Sequence, residues 1–463
     1  MPATTGTLEI PFVIGGRTVY GSANNHGTRI GERFTTPELT LDELVLPRTE
    51  PGPAFDTPLA EILDLLQETG RRLDLDTNPY LAEAREQMTA VSPHSARVVE
   101  NCYRGLAGAF DRDVLGFQVD RELGPGVIDG WVTVHRPHMH RARVRAFPSR
   151  LIHIMPGNGP GAASITITRA AITKSFSLLK LPSNDLCTAV AILRTMADID
   201  PNHPVVRSFS SVYWRGGDET VEGALMRPQY FDKLVAWGGE SAIRSAVKYI
   251  GPGFELISFD PKLSISMIGR EAFTDDNTMR EVARAAAKDV NFFNQEACAS
   301  SRHHFVEGTP QEIQRYCAAL AEELAVDQAW GDGKSWDTPA EIREQVEVLV
   351  SVGVYDQWGD YEGRGLVVRS DEPVGFHPIA KTVNVVPVKD LTDALPYVTV
   401  ATQTVGLYPP HRKTDLRDRL VCCGAQRVVT LGSSVAIALT GEGLPHDGWL
   451  PLQRLVRWVS DED

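Results

Sequence analysis

The chain has 463 residues, too many for one simple core, so we expect two or three packed units. Hydrophobic residues make up 42% of the chain and charged residues 23%, which is ordinary for a globular protein and excludes a collagen-like repeat or a disulfide scaffold. The net charge of −14 disfavours nonspecific binding to nucleic acid or anionic membranes. An anionic cofactor could still bind at a local basic site or a helix end.

Six cysteines are scattered along the chain apart from one adjacent pair, and no CxxC pair occurs, which disfavours a zinc site. Thiols in this number are typical of a reducing compartment. The N-terminus has no basic region followed by an apolar core, so no signal peptide is expected. The apolar run 162–181 is interrupted by Arg169, Lys174 and Lys180, so we expect no membrane span and a cytoplasmic protein.

The chain up to about residue 55 is rich in Gly, Pro and Thr, with one short strand predicted at 10–13. Asp56-Thr57-Pro58 predicts a helix start, because a capping residue precedes proline at the first helical position. A second helix is predicted at about 93–110. From residue 150 onward, predicted strands at 151–155, 177–181, 205–213, 233–237 and 254–259 alternate with predicted helices at 160–173, 185–197 and 240–249 and a short one after Asp218. This alternation is typical of a parallel, doubly wound α/β sheet, which binds ligands at the carboxyl ends of its strands.

A second α/β unit is predicted after Lys262. Thr309-Pro310 and Thr338-Pro339 repeat the pattern of a capping residue before proline. The predicted helices are 279–291, 310–325 and 339–352, and the predicted strands are 366–369, 383–388 and 398–405. The segment 452–459 is predicted to form an amphipathic helix.

Cys298 lies between a helical run that ends near Phe293 and a polar stretch that leads to Arg302. Its small neighbours, Ala297 and Ala299, would let a bulky electrophile approach. A turn or a helix start beside Arg302 would favour the thiolate, which is the reactive form of the thiol. On composition alone Cys298 is one candidate among six, because most cysteines are small buried hydrophobes.

Four segments together resemble the aldehyde dehydrogenase superfamily. Residues 292–298 (FFNQEAC) resemble its nucleophile segment, F-x-N-x-G-Q-x-C. Upstream, residues 156–160 (PGNGP) resemble its P-W-N-x-P turn, and residues 178–183 (LLKLPS) resemble its V-x-K-P-x-x strand end. Residues 237–239 (WGG) stand where that superfamily has an F-T-G-S pyrophosphate turn. The order and the spacing of all four segments agree.

Within the superfamily the chain resembles the LuxC-type acyl reductases, which supply aldehyde in bacterial bioluminescence. The likeness extends from about residue 150 to the C-terminus and includes residues 294–301 (NQEACASS) and 403–406 (QTVG). It is weaker earlier, at residues 11–16 (PFVIGG). It implies an α/β fold of the aldehyde dehydrogenase type. We therefore expect a nucleotide cofactor-binding domain over 1–262 and a catalytic domain over 263–430. The tail, 431–463, is expected to pack back on the first domain or to join an oligomer contact.

The resemblance implies that Cys298 carries the acyl group as a thioester. It also implies that the side-chain amide of Asn158 and the backbone N–H of Cys298 stabilise the oxyanion formed during attack. Without the resemblance, the PGNGP segment would be interpreted simply as a turn.

The resemblance also implies a nicotinamide cofactor. It puts the Lys180 ammonium near the adenosine ribose, although by itself Lys180 would be a solvent-facing residue at a strand end. NAD-preferring relatives often have Glu three residues later, where this chain has Ser183, so NADPH is favoured. Gly238 and Gly239 precede a helix start and would let the backbone approach a pyrophosphate. The cofactor-binding residues expected are Pro156, Gly157, Lys180, Ser183, Gly238 and Gly239.

One departure from the superfamily pattern bears on the reaction. Hydrolytic aldehyde dehydrogenases carry a Glu in the strand L-E-L-G-G-K that activates water. Anchoring that strand on Lys262 puts Ser258 at the Glu position, although Glu255 or Asp260 would restore a base if the register differs. Without a general base, water attacks the acyl-enzyme slowly, so the thioester persists until it is reduced.

Other candidate groups receive structural interpretations. Three histidines at 135, 138 and 140 lack an accompanying carboxylate or cysteine cluster and lie among arginines, so we expect a basic exposed strand or hairpin and no metal. His303 and His304 could be surface residues or line the acyl channel, and the surface is favoured. Cys422 and Cys423 are expected to be a buried pair near a helix end. No disulfide between them is expected, because adjacent cysteines rarely bridge.

The sequence therefore predicts NADPH-dependent reduction of an acyl thioester, on CoA or on a protein, to an aldehyde. One alternative is an aldehyde dehydrogenase that works in the oxidising direction with NAD(P). Another is a non-reducing acyl-carrier subunit of a fatty-acid reductase complex. The resemblance also suggests an acyl-activating synthetase as partner, and a homo-oligomer is expected.

Overall fold

The computed structural model describes residues 8–28, 31–92, 94–135, 137, 141–434 and 443–462. The chain forms two compact units. Unit 1 comprises Met1–Ser92, Cys102–Asp260 and Thr440–Asp463, and unit 2 comprises Pro93–Asn101 and Pro261–Leu439. No helix in the described ranges is long and apolar enough to cross a membrane.

The helices are α1 (Leu59–Arg72), α2 (Pro79–Val91), α3 (Ala96–Gly105), α4 (Arg112–Glu122), α5 (Gly161–Ile172), α6 (Thr188–Ile199), α7 (Pro204–Arg207), α8 (Glu219–Leu225), α9 (Glu240–Val247), α10 (Asp276–Asn291), α11 (Pro310–Leu324), α12 (Ala340–Ser351), α13 (Lys413–Cys423) and α14 (Pro451–Leu455). Short 3-10 turns cover Leu41–Leu44, Leu106–Phe110, Arg270–Phe273, Phe292–Gln295, Leu391–Tyr397 and Pro410–Arg412.

The strands are β1 (Leu8–Glu9), β2 (Phe12–Ile14), β3 (Arg17–Val19), β4 (Asn24–Gly27), β5 (Arg33–Thr36), β6 (Val132–Val134), β7 (Ala142–Pro148), β8 (Arg150–Ile154), β9 (Phe176–Lys180), β10 (Phe209–Val212), β11 (Lys233–Trp237), β12 (Glu255–Phe259), β13 (Leu263–Ile268), β14 (Ser301–Glu307), β15 (Asp356–Asp360), β16 (Gly365–Arg369), β17 (Thr382–Val388), β18 (Thr402–Tyr408), β19 (Arg427–Thr430) and β20 (Val456–Glu462).

Unit 1 is built on a seven-stranded sheet in the order β12-β11-β8-β9-β10-β2-β3. The strands from β12 to β10 are parallel. Strand β2 pairs antiparallel with β10, and β3 pairs antiparallel with β2. Strands β8 to β11 are buried along most of their length, which explains their largely apolar sequence. Strand β12, at the edge of the sheet, is more exposed. The parallel, doubly wound sheet predicted from the alternation is confirmed.

Unit 2 has its own seven-stranded sheet in the order β15-β16-β17-β14-β13-β18-β19, parallel except for the β15–β16 pair. Helices α10 and α11 pack together and form one apolar core with β14 and β17. The predicted start of α11 is confirmed, because Thr309 caps the helix in a reciprocal box with Glu312. The cap predicted at Thr338 is wrong, since α12 begins at Ala340 without a side-chain cap.

The predicted C-terminal helix at 452–459 is wrong. Only α14 is helical there, and β20 pairs antiparallel with β7, from Val456 opposite Pro148 to Glu462 opposite Ala142. Strand β7 lies between β20 and β6, so its backbone groups need a partner on each side. Because that requirement arises some 300 residues upstream, a local helical spacing could not reveal it.

Other predicted elements differ in smaller ways. Residues 205–213 divide into the short helix α7 and strand β10, and the strand predicted at 398–405 begins only at Thr402. Helices α2 and α4 were not predicted. The predicted helix at about 93–110 ends at Gly105 and continues as a 3-10 turn. The remaining predicted strands and helices match within a few residues.

Candidate active site

The nucleophile segment follows α10 through an unusual backbone. Three consecutive residues, Phe293, Asn294 and Gln295, have positive φ angles of 48°, 51° and 72°. Left-handed backbone costs roughly 1–2 kcal/mol for a residue with a side chain, so this run forms only where surrounding contacts determine it.

Asn294 holds the middle of the left-handed run. Its side-chain amide donates to the Asp332 carboxylate at 3.0 Å, and its oxygen accepts from the Asp332 backbone N–H at 2.7 Å. Ser95 and Arg97 also contact that carboxylate. Burial alone would raise the pKa of Asp332, but hydrogen bonds from Asn294 and Ser95 hold it below its usual value. The anion is therefore a fixed anchor for Asn294.

Gln295 and Arg302 hold the next turn of the chain. The buried Gln295 amide donates to the carbonyl oxygens of Ser301 (3.1 Å) and Thr382 (2.8 Å). The Arg302 guanidinium donates to the Gln295 carbonyl at 2.8 Å and also to that of Pro378. These contacts fix the turn that presents the following residues, including the candidate nucleophile.

Cys298 lies in this turn and is exposed, whereas its neighbours Ala297 and Ala299 are buried. The Ser264 hydroxyl donates to the Cys298 carbonyl oxygen at 2.8 Å. The Gln403 side-chain amide lies 3.0 Å from the sulfur and donates to it. The predicted turn beside the cysteine is confirmed, and the alternative of a helix start is wrong because β14 begins at Ser301.

Two arginines in unit 2 interact electrostatically with Cys298. Burial lowers the pKa of Arg302 to about 10, and the opposing influences are Glu296 and Cys298. Burial also lowers the pKa of Arg427, against the influence of Asp289 and Cys298. Both guanidinium groups remain cationic at neutral pH, so each favours negative charge on the sulfur.

Gln403 and Arg427 were not predicted as site residues. Gln403 belongs to the QTVG motif at 403–406, but a motif match does not indicate which residue its side chain contacts. Arg427 had no local signal, because it reaches the site only through pairing of β18 with β19.

Two interpretations of single residues are wrong, those of His304 and Cys422. His304 is fully buried and its Nδ1 lies 2.9 Å from the Tyr316 hydroxyl, while His303 is half-buried beside Asn384. Both lie on β14, a central strand, so His304 is not at the surface, while His303 is partly exposed. Cys422, expected to be buried, is exposed at the end of α13.

The turn that carries Asn158 follows β8 in unit 1, and the Asn158 side chain is exposed. The Asn184 amide donates to the Gly157 carbonyl at 2.7 Å and ties the turn to the loop after β9. A Cβ atom at residue 157 would lie 1.8 Å from the Asn184 oxygen, so this close approach needs glycine. Pro156 beside it is half-buried. Asn184 was missed by the sequence analysis.

Lys180 ends β9 and is half-buried, with its ammonium 5.8 Å and 5.6 Å from the ring centres of Tyr213 and Trp214. Burial lowers its pKa, and Glu222 opposes that shift. Ser183 is half-buried in the turn that follows. The parallel neighbours end at the same edge of the sheet, which is where such sheets bind ligands.

Gly238 and Gly239 connect β11 to α9. Gly239 is exposed at the N-cap of α9, and a Cβ atom there would meet open space. A Cβ atom at Gly238 would approach Ala242 at 3.1 Å. The first N–H groups of α9 are therefore accessible to an anion at the helix end.

Ser258 stands where hydrolytic aldehyde dehydrogenases have the Glu that activates water, so its surroundings show whether another carboxylate could act as that base. Glu255, at the start of β12, forms ion pairs at 3.1 Å with both Lys233 and Arg454, so that carboxylate is already engaged. Asp260 is exposed beyond the strand end. Ser258 lines a small cavity of about 20 Å³, which has room for a water molecule. The described residues lining the cavity are His153, Thr166, Arg169, Val235, Trp237, Ile257, Ser258, Phe259, His446, Trp449, Pro451, Arg454 and Leu455, and they include no carboxylate.

The histidine cluster considered for a metal falls largely outside the described residues, since 138 and 140 are not covered. Strands β6 and β7 around it form the predicted basic hairpin, with Arg143 exposed and Arg145 buried. The described part of the chain contains no group of three His, Cys, Asp or Glu side chains placed to hold a metal ion.

Comparisons with known proteins identify the family to which the chain is similar. Residues 54–458 match the family described as acyl-CoA reductase (LuxC), so the similarity begins well before residue 150. The long-chain acyl-protein thioester reductase of Photorhabdus luminescens is 34% identical over 359 residues, which cover 74% of this chain and 69% of that protein. Its counterpart from Vibrio harveyi is 30% identical over 417 residues, covering 88% and 83%.

The fold comparison extends over nearly the whole chain. The solved structure of aldehyde dehydrogenase 21 from Physcomitrella patens matches 98% of both chains with a TM-score of 0.74 at 11% identity. At this identity the similarity concerns the fold alone. It confirms the predicted aldehyde dehydrogenase fold class.

Proposed function

The chain belongs to the LuxC family of acyl-CoA reductases, and on that premise we propose that it reduces an acyl thioester to an aldehyde with NADPH as reductant. The observation that carries the proposal is the setting of Cys298. An exposed thiol accepts a hydrogen bond from a buried amide, interacts with two cationic arginines and sits on a strained, fully anchored turn. Structural cysteines are usually buried and inert by comparison.

In the proposed reaction the Cys298 thiolate attacks the acyl carbon of the donor. A bond forms between Sγ and that carbon, the donor's own carbon–sulfur bond breaks, and the donor leaves as a thiolate that takes up a proton. We assign the Asn158 amide and the Cys298 backbone N–H to the oxyanion, as the family resemblance implies. The acyl group is then held on the enzyme as a thioester.

Residues of unit 1 suit the binding of nicotinamide adenine dinucleotide phosphate. The Lys180 ammonium and the neutral Ser183 suit a 2′-phosphate, and Gly239 leaves the N-terminus of α9 open to a pyrophosphate. When bound, NADPH supplies the hydride that reduces the thioester carbon. The alkoxide form of the resulting thiohemiacetal then collapses: its carbon–sulfur bond breaks, Cys298 is released as a thiolate, and the aldehyde departs.

Ser258 supports reduction over hydrolysis. With serine at this position and Glu255 engaged by two cations, no carboxylate lines the neighbouring cavity among the described residues. Water activation would then be slow, and the thioester would survive until reduction.

The relatives act on acyl-protein thioesters by name, so we propose that the donor is acyl-CoA or an acyl group on a partner protein, with an acyl-activating synthetase as its source. We also propose that the chain assembles as a homo-oligomer. Adding a candidate synthetase with fatty acid and ATP tests the first point through NADPH consumption, and light scattering of the purified protein tests the second.

The decisive experiment is intact mass measurement after incubation with acyl-CoA in the absence of NADPH. We expect one acyl adduct on wild type, none on Cys298→Ala, and its conversion to aldehyde on addition of NADPH. An adduct that persists in Cys298→Ala would refute the proposal. Free acid formed from an added aldehyde at steady state, with reduction of NAD⁺, would indicate an oxidising dehydrogenase, and an adduct without any nicotinamide binding would indicate an acyl carrier.

A further inference from the structure

Gln403 lies on β18, 105 residues from Cys298 in sequence, and its amide nitrogen is 3.0 Å from the Cys298 sulfur. The side chain is buried whereas the thiol is exposed, so the donor approaches the sulfur from the protein interior. A thiol sulfur is a weak acceptor, but a thiolate is a strong one, because hydrogen bonds to charged groups are about twice as strong as neutral ones. An amide in this position therefore favours the thiolate.

The position of Gln403 relative to Cys298 is fixed by a separate contact. The Ser264 hydroxyl donates to the Cys298 carbonyl at 2.8 Å and accepts from the Thr404 backbone N–H at 3.2 Å. One buried hydroxyl thus connects the strand that carries the donor to the residue that carries the acceptor. Arg427 reaches the Thr404 hydroxyl from β19 at 3.4 Å and adds a further tie.

Charged groups also act on Cys298. Arg302 on β14 and Arg427 on β19 interact electrostatically with Cys298 as cations, and Glu296 in the same turn interacts electrostatically with Arg302. The arginines favour the thiolate by charge alone, which acts over several ångströms and has no directional preference. Gln403 adds the directional component, because an N–H···S hydrogen bond has a preferred geometry at the sulfur.

We propose that Gln403 is a positioning residue for Cys298, whose amide stabilises the thiolate and directs it toward the incoming acyl carbon. The role rests on the proposed function, since it concerns the same nucleophile. It goes further in naming the group that prepares the sulfur before any substrate is bound.

The test uses the whole protein and measures alkylation of Cys298 by iodoacetamide between pH 5 and 10, with peptide mass mapping. We expect Gln403→Leu to move the midpoint of the Cys298 profile upward by about one pH unit and to lower the rate at pH 7 about tenfold. Gln403→Glu is nearly isosteric and should move the midpoint further, because a carboxylate repels a thiolate. The exposed Cys422 in the same molecules is an internal reference.

Gln314→Leu, an exposed position on α11, is the matched control and should leave the Cys298 profile unchanged. If circular dichroism shows that Gln403→Leu does not fold, the alkylation profile of Gln403→Glu tests the inference. A wild-type Cys298 profile in either folded Gln403 variant would overturn the inference.

Failure of the inference and failure of the proposed function give different results. Acylation of wild-type Cys298 by acyl-CoA with an unchanged alkylation profile in the Gln403 variants would remove the positioning role and leave the reductase proposal standing. A shifted alkylation profile in the Gln403 variants without any acyl adduct on wild type would remove the reductase proposal and leave the positioning role standing. Acylation and alkylation falling together in both variants is the result we expect.

Discussion

The left-handed run before Cys298 should be sensitive to the loss of a single side chain. Asn294→Ala removes a hydrogen bond to the Asp332 carboxylate and another from the Asp332 backbone N–H. The first is charge-assisted and contributes about 2 kcal/mol, and the second contributes about 1 kcal/mol. Alanine also tolerates the positive φ of 51° less well than asparagine, by about 1 kcal/mol.

The sum predicts that Asn294→Ala lowers the free energy of unfolding of unit 2 by about 4 kcal/mol. Asn294→Gly loses the same two hydrogen bonds but adopts a positive φ freely, so its loss should be about 3 kcal/mol or less. The order of the two variants is therefore part of the prediction: glycine should be more stable than alanine.

The free energy of unfolding of unit 2 is measured separately by hydrogen exchange in increasing urea, with mass spectrometry of peptides from α10 and β14. Alkylation of Cys298 in native buffer should slow in parallel, because the turn loses its anchor. A loss below about 1 kcal/mol in Asn294→Ala would refute the reasoning, and so would an alanine variant more stable than the glycine variant. Asn277→Ala, an exposed asparagine in the first turn of α10, is the control.

Three further outcomes are expected. Ser258→Glu should speed release of free acid from the acyl-enzyme by about 100-fold or more, measured by decay of the adduct mass, with Ser258→Gln as the uncharged control. Lys180→Met should raise the KM for NADPH by about 10- to 100-fold and change that for NADH little; equal effects on both cofactors would contradict the assignment. Gly157→Ala should disrupt the tie to Asn184 and slow acylation about tenfold, while leaving iodoacetamide alkylation of Cys298 unchanged.

The sequence was sufficient for features that depend on local spacing. Alternating apolar runs predicted the parallel sheet of unit 1 and most of the boundaries of its parallel strands, because strand and helix periodicity is a property of adjacent residues. Family motifs singled out Cys298, Asn158 and Lys180 as candidates, since each belongs to a short contiguous pattern. The assigned roles of these residues remain predictions.

Only the tertiary structure decided which distant residues meet. The C-terminal segment could form a helix by its own spacing, but the open edge of β7 makes β20 a strand. His304 is buried because β14 is central in its sheet, which depends on strand order. The contact between Gln403 and Cys298 arises because β18 lies beside β13 and places a buried amide under an exposed sulfur. Sheet order is set by the packing of whole elements, so no local pattern around either residue encodes that contact.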